Sequence, residues 1–173
     1  MLRTYKRPEA VLALARALPS LRFTVVGGPP TEAGASEARA AETFLRAAAA
    51  LPNVSCAGFQ RPERMDRFYA RAAVVINTSP VEGFPNILLE GWARGRPSVT
   101  CGVDPDEVIC RYGLGVHAQS LDGMARALGA LMADPARRRR MGANARAYVE
   151  AHHAIGPVVD RFEGLLRRVC GAV

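Results

Sequence analysis

Two carboxylates, Glu82 and Glu90, frame the run Glu82-Gly83-Phe84-Pro85-Asn86-Ile87-Leu88-Leu89-Glu90. Gly83 permits close approach of a ligand to the backbone, and Pro85 is pre-shaped for the first turn of a helix. The free amides of such a turn point outward with the positive end of the helix dipole, which makes an anion site suited to a diphosphate. Glu82, in the loop, is placed to accept hydrogen bonds from sugar hydroxyls. Glu90 lies about 6 Å further along the helix axis, where an acid can hold the vicinal hydroxyls of a ribose. Plainer roles exist for both. Glu90 precedes Arg94 by four residues and could form a helical ion pair with it, and Glu82 could simply complement the dipole.

Other residues with chemical potential are fewer. All of the 23 basic side chains are arginine except Lys6, and a lone lysine points to a place where a compact ammonium is wanted. Asp104-Pro105-Asp106 has the D-x-D spacing of a metal site, but Asp104, Pro105 and Glu107 read more simply as a capping box at a helix start. His152 and His153 are adjacent and cannot share a metal in the i, i+4 manner; a helix-end role beside the dipole is expected. Cys101 and Cys110 have no base nearby in sequence, so buried thiols are expected. Gly27-Gly28 follows a strand without the G-x-G-x-x-G needed for a dinucleotide. Ser79 and Asn77 border the Glu82 loop, either touching ligand or satisfying the strand end.

These residues need a scaffold, and the pattern supplies one. Helical periodicity over 8–18 is followed by a buried strand over 22–26, ended by Gly27-Gly28-Pro29-Pro30. An alanine-rich helix over 37–51, a strand over 54–57 and a helix from Pro62 to about Arg71 come next. Ala73 to Asn77 is a contiguous apolar strand of the kind parallel sheets use. Helix 85–94, strand 97–101, a helix from Asp104, an extended piece over 115–118 and three helices near Ser120, Asp134 and Gly156 complete the chain. Regular alternation predicts an α/β fold, a doubly wound, Rossmann-like parallel sheet in one domain, 1–173. Such a fold normally starts with a strand, yet only Met1 and Leu2 precede the Arg3–Arg7 loop. The expectation is a truncated first strand.

Bulk properties narrow the classes. Apolar residues make up 49 % and charged residues 23 %, a globular composition. No apolar run reaches the roughly 18 residues of a membrane span, and no signal peptide stands at the start. Cysteines 56, 101, 110 and 170 are scattered without C-x-x-C spacing, which suits a reducing cytoplasm. The net charge of +7 would suit phosphate or an anionic membrane, leaving a basic adaptor as a competing reading. However, the densest block, Arg137 to Arg140, lacks interleaved aromatics and reads as a solvated helix face rather than a nucleic-acid platform.

Glu-x7-Glu with Gly-Phe-Pro-Asn after the first acid resembles the signature of family 4 (group 1) glycosyltransferases of the GT-B fold. Lys6-Arg7-Pro8, Val25-Val26-Gly27-Gly28, Pro52-Asn53-Val54, Gly58-Phe59, Ala93-Arg94-Gly95-Arg96-Pro97, Asp134-Pro135 and Met141-Gly142 follow in that family's order. The resemblance spans nearly the whole chain but only the family's C-terminal, donor-binding domain. It implies a retaining hexosyltransferase that uses a nucleotide-diphosphate sugar, without a metal or other cofactor, in glycan biosynthesis. It also implies an N-terminal acceptor domain, absent from this chain, without which the chain would bind nucleotide but not transfer. Peripheral membrane association of a full-length enzyme is a further implication. Residue by residue, Glu82 would contact the hexose, Glu90 the ribose, and the backbone from Phe84 through Leu88 the sugar and diphosphate. Lys6 would neutralise the leaving diphosphate, and Gly58, Phe59, Gln60 and Arg61 would line the base pocket. The family's second basic residue falls at Met1; either Arg3 replaces it or that contact is missing.

Overall fold

The computed structural model describes residues 2–29 and 34–171. Met1 and Pro30 therefore lie outside the described residues. Five short strands alternate with eight helices among these residues: α1 (Pro8–Ala17), β1 (Phe23–Val25), α2 (Ala35–Ala49), β2 (Val54–Cys56), α3 (Asp66–Arg71), β3 (Val75–Asn77), α4 (Asn86–Ala93), β4 (Ser98–Cys101), α5 (Val108–Arg111), β5 (Gly115–Ala118), α6 (Leu121–Ala133), α7 (Pro135–His152) and α8 (Ile155–Cys170). Single 3-10 turns at Thr4–Lys6, Pro62–Arg64 and Pro105–Glu107 precede α1, α3 and α5.

Every strand pairing is parallel, as the alternation predicts, but the ladders form two sheets. β1 pairs with β2, and β3, β4 and β5 form the second sheet in that order. Side-chain packing joins them. Phe23 of β1 shares one apolar cluster with Val99 of β4, Ala118 of β5, Leu14 and Ala15 of α1, and Met124, Leu128 and Leu131 of α6. On the other face, Val75 packs with Tyr69, Leu88, Trp92, Ile109, Leu114 and Ala145, drawn from α3, α4, α5 and α7 and the turn before β5. Helices thus cover both faces, which is the doubly wound arrangement.

Glycines set the closest approaches. A Cβ on Gly91 would lie 2.6 Å from Val75 Cγ2, so only glycine lets α4 lie this near β3. The end of α4 is a Schellman motif: Gly95, at φ 66°, donates to Trp92 O at 2.8 Å, and Arg96 donates to Gly91 O at 2.9 Å.

Helix starts follow the sequence in two of three places. Ser120 accepts from Gly123 N, and Asp134 from Arg137 N, each at an N-cap. The capping box expected at Asp104–Glu107 does not form. Asp106 and Glu107 adopt left-handed φ of 50° and 58°, so Glu107 cannot reach back, and the Asp104 carboxylate instead caps α5 by accepting from Ile109 N and Cys110 N.

The cysteines also differ from expectation. Cys56, Cys110 and Cys170 are exposed, and Cys101 is partly so. Beside Cys101 and Cys110 the burial falls on Thr100 and Ile109 instead. No described helix is long and apolar enough to cross a membrane. The apolar stripe of α8 (Ile155, Phe162, Leu165, Leu166 and Val169) faces outward.

Candidate functional site

The parallel ladder fixes where the Glu82 loop emerges, beyond the carboxyl end of β3. Asn77 closes the strand, its Oδ1 accepting the Ser79 amide at 2.8 Å. Thr78 then reaches across the fold, its Oγ1 donating to the carbonyls of Lys6 (2.8 Å) and Arg7 (3.2 Å). That clamp, 72 residues long in sequence, seats the Lys6 turn beside the loop. Arg7, at φ 50°, turns the chain into α1.

The result brings Lys6 and Glu82 together, with Nζ 3.1 Å from Oε1. The Ser79 hydroxyl donates to the same oxygen. Glu82 is largely sheltered while Lys6 is about two-fifths exposed, so the pair offers a polar edge to solvent rather than a closed core contact.

α4 opens immediately after the loop. Pro85 occupies the cap position itself, one residue earlier than expected, with φ −67° and no side-chain cap on the helix. The Leu88 amide turns back to Pro85 O at 3.0 Å, which removes it from the donors expected over 84–88. Pro85 has no N–H. The Asn86 and Ile87 amides have no acceptor among the described residues, and with Phe84 and Gly83 they form the free start of the helix.

Glu90 is held by a residue that the sequence did not flag. Tyr69 Oη, from α3, donates to Glu90 Oε2 at 3.0 Å. Burial of Tyr69, then the bond to Glu90, push its phenol well above the ordinary value, so it stays a donor throughout the working pH range. The helical ion pair with Arg94 does not form. Arg94 instead bonds the Glu90 carbonyl at 2.8 Å and pairs with Asp66. A tyrosine beside Phe68 and Ala70 in a short helix reads as core, and nothing in its spacing links it to Glu90.

The aromatic wall behind the loop was also missed. Phe84 stands edge-on to Trp92 (centroids 6.1 Å apart) and tilts against His153 at 5.0 Å. Tyr148 contacts both Trp92 and His153. Burial holds His153 below the ordinary histidine value, with His152 and Arg161 adding to the effect. Both histidines stand at the end of α7 as expected, His152 in the last turn and His153 at the C-cap, and His153 in addition packs on Phe84.

The remaining expected residues scatter around this centre. Gly58, at φ 66°, bridges to Gly27 where β2 ends, Phe59 is 71 % exposed, and Gln60 folds onto Ala57 O at 2.7 Å. Arg61 starts the 3-10 turn at Pro62. Arg3 touches neither Lys6 nor Glu82 through its side chain among the described residues. Its charge bears on Glu37, whose carboxyl is held below the ordinary value first by the Thr4 hydroxyl and to a lesser degree by Arg3. Cys110 is exposed as a residue, yet partial desolvation of its thiol and then Asp104 push it up, away from the thiolate a nucleophile needs.

A parallel α/β domain with a polar loop beyond the carboxyl end of β3 has the general form of a nucleotide-binding fold. The profile of the family "Glycosyl transferases group 1" matches residues 7–134, and the chain belongs to that family. It is 32 % identical over 160 residues to a D-inositol 3-phosphate glycosyltransferase of Streptomyces griseus, covering 84 % of this chain and 33 % of that protein. A GDP-mannose-dependent monoacylated alpha-(1-6)-phosphatidylinositol monomannoside mannosyltransferase of Corynebacterium glutamicum is 36 % identical over 89 residues, covering 50 % of this chain and 23 % of the relative. Among solved structures, sucrose-phosphate synthase of Thermosynechococcus elongatus superposes with TM-score 0.80 at 22 % identity, over 99 % of this chain and 44 % of that one. HepE of Anabaena in complex with UDP gives TM-score 0.80 at 17 % identity, over 96 % and 46 % of the two chains. These two show the shared fold. The chain spans about a third of the length of the Streptomyces relative.

Proposed function

We propose that this chain is the donor-binding domain of a retaining hexosyltransferase and that Glu82 to Glu90 is its nucleotide-sugar site. The observation that carries the reading is the Lys6–Glu82 pair, 3.1 Å across, beside the uncapped start of α4. Lys6 and the free Asn86 and Ile87 amides offer positive charge to a diphosphate, while Glu82 and Glu90 offer acceptors to sugar and ribose hydroxyls. Phe59 presents an exposed ring beside the Gly58–Arg61 loop, suited to stack on a base. In transfer, the bond between the anomeric carbon and the diphosphate oxygen breaks, the oxygen keeps the electron pair, and the oxygen of an acceptor hydroxyl bonds to that carbon on the same face as its proton passes to the departing diphosphate. Lys6 and the helix start would stabilise the departing charge, which is electrostatic preorganisation. The site requires no metal for this, since the cations are already in place.

The acceptor is assigned to a second domain of a longer chain, supported by the one-third coverage of the Streptomyces relative. On that reading the chain by itself binds nucleotide and does not transfer. Calorimetry with UDP, GDP and ADP tests it: one nucleotide should bind saturably, Glu90→Ala should abolish binding, and Lys6→Ala should weaken it. Absence of binding by all three would sink the proposal. In a full-length enzyme, normal turnover by Glu82→Ala would remove Glu82 from its role.

A further inference from the structure

At the amino ends of β3 and β4, away from the Glu82 loop, a cavity of about 290 Å³ opens among Arg71, Arg96, Arg138 and Arg139. No carboxylate lines it, and none of these four arginines forms an ion pair among the described residues. Among the described residues only Arg7, Arg94, Arg146 and Arg167 meet an acid, so what distinguishes these four is that they line one cavity. Arg71, Arg96, Arg138 and Arg139, lining one cavity with no acid among them, concentrate positive charge there, and an anion between them would offset it.

The convergence is built into the fold. The Schellman turn fixes Arg96, whose Nη2 donates to Ala70 O at 3.2 Å. Its Nε is buried with no hydrogen-bond partner among the described residues, an arrangement that costs stability unless something accepts from the group. Arg138 is tethered through Nη1 to Leu131 O at 2.6 Å. A Cβ on Gly142 would fall 2.2 Å from Gly95 O. Only glycine there lets α7 close onto the turn and hold Arg138 and Arg139 near Arg96. Arg71 and Arg139 are exposed and free to move onto a ligand.

We propose that this cavity is a second anion site, which takes a phosphate-bearing ligand. Guanidinium forks match phosphate oxygens bidentately, and a dianion offers enough acceptors for several of them at once. No aromatic side chain lines the cavity, which disfavours single-stranded nucleic acid. The phosphate could be free or carried by a lipid headgroup. This site is independent of the donor-site reading.

Thermal unfolding of the 173-residue chain in inorganic phosphate, against chloride at equal ionic strength, tests the proposal. Phosphate should raise Tm in the wild type and in Lys6→Ala. The Arg71→Ala/Arg139→Ala double variant, whose unliganded Tm should match wild type, should need roughly tenfold more phosphate, and R139E more still. An equal response in the double variant would mean a general salt effect and overturn the site. Loss of the response in Lys6→Ala alone would place the phosphate at the donor loop and also overturn it. Sedimentation with phosphatidylcholine vesicles, with and without phosphatidic acid, separates the sources. Arginine-dependent co-sedimentation with the acidic vesicles assigns a lipid headgroup, and a response to free phosphate alone assigns a soluble ligand.

Discussion

The two ends of α4 handle charge in opposite ways. At its start, positive charge comes from backbone amides and one lysine, and acids stand beside them: Glu82 on Lys6, Glu90 on Tyr69. Past its end, the cavity beside Arg96 has guanidiniums alone, and no acid lines it. Acids beside an anion site have a use when the ligand also carries hydroxyls that donate. A site of arginines alone can only read charge. On the two proposals, the contrast separates a surface suited to a sugar nucleotide from one suited to a bare phosphate, one at the start of α4 and the other beyond its end.

The sharpest way to break this contrast is to remove the core between the two ends. Trp92 is fully buried, contacts Phe84 and Tyr148, and donates to Ser98 Oγ at 3.2 Å. Trp92→Ala should cost about 3–5 kcal/mol in chemical denaturation and impair both ends together. Lys6→Ala comes next. In a full-length enzyme it should lower turnover by about 10²–10³-fold while leaving the arginine cavity's phosphate response intact.

Gly142→Ala should act in the reverse direction. Its methyl group would strike Gly95 O, so a loss of about 1–3 kcal/mol is expected, with weakened phosphate binding and little change in nucleotide affinity. Tyr69→Phe sharpens the other end. Loss of its bond to Glu90 should weaken nucleotide binding by about 1 kcal/mol, or roughly fivefold, by calorimetry.

The smallest effect concerns His153. Its folded value lies below the ordinary 6.5, so the unfolded chain binds the proton more readily, and stability falls as pH drops through about 6.5 and below. The groups facing the ring are Phe84, Tyr148, His152 and Arg161. Tm followed from pH 8 to about 5 should decline less steeply in His153→Gln. An identical slope would remove His153 from the packing behind Phe84.

Local rules foretold much of this molecule. Contiguous Val74, Val75 and Ile76 announced a parallel strand, Ser120 and Asp134 announced their caps, and the Gly-Phe-Pro-Asn turn announced a helix start with free amides. These depend on residues a few positions apart, whose physics is carried by the backbone they share. The failures were local too where backbone conformation intervened. Left-handed Asp106 and Glu107 undid a capping box that residue types alone favoured, and Leu88 spent its amide on Pro85.

What only the tertiary structure decided involves partners far apart in the chain. Glu82, Glu90 and the lone Lys6 were visible as chemistry in the sequence, because charged residues at a loop and a helix start have few other uses. That Lys6 meets Glu82, that Tyr69 holds Glu90, and that His153 rather than solvent backs Phe84 could not be read there. The same holds for Arg71, Arg96, Arg138 and Arg139, which look like unrelated surface charges until Gly142 lets α7 close on the Schellman turn. Such contacts depend on how helices pack on a sheet, and packing depends on volumes and close approaches summed over the whole core, which no short stretch of sequence contains.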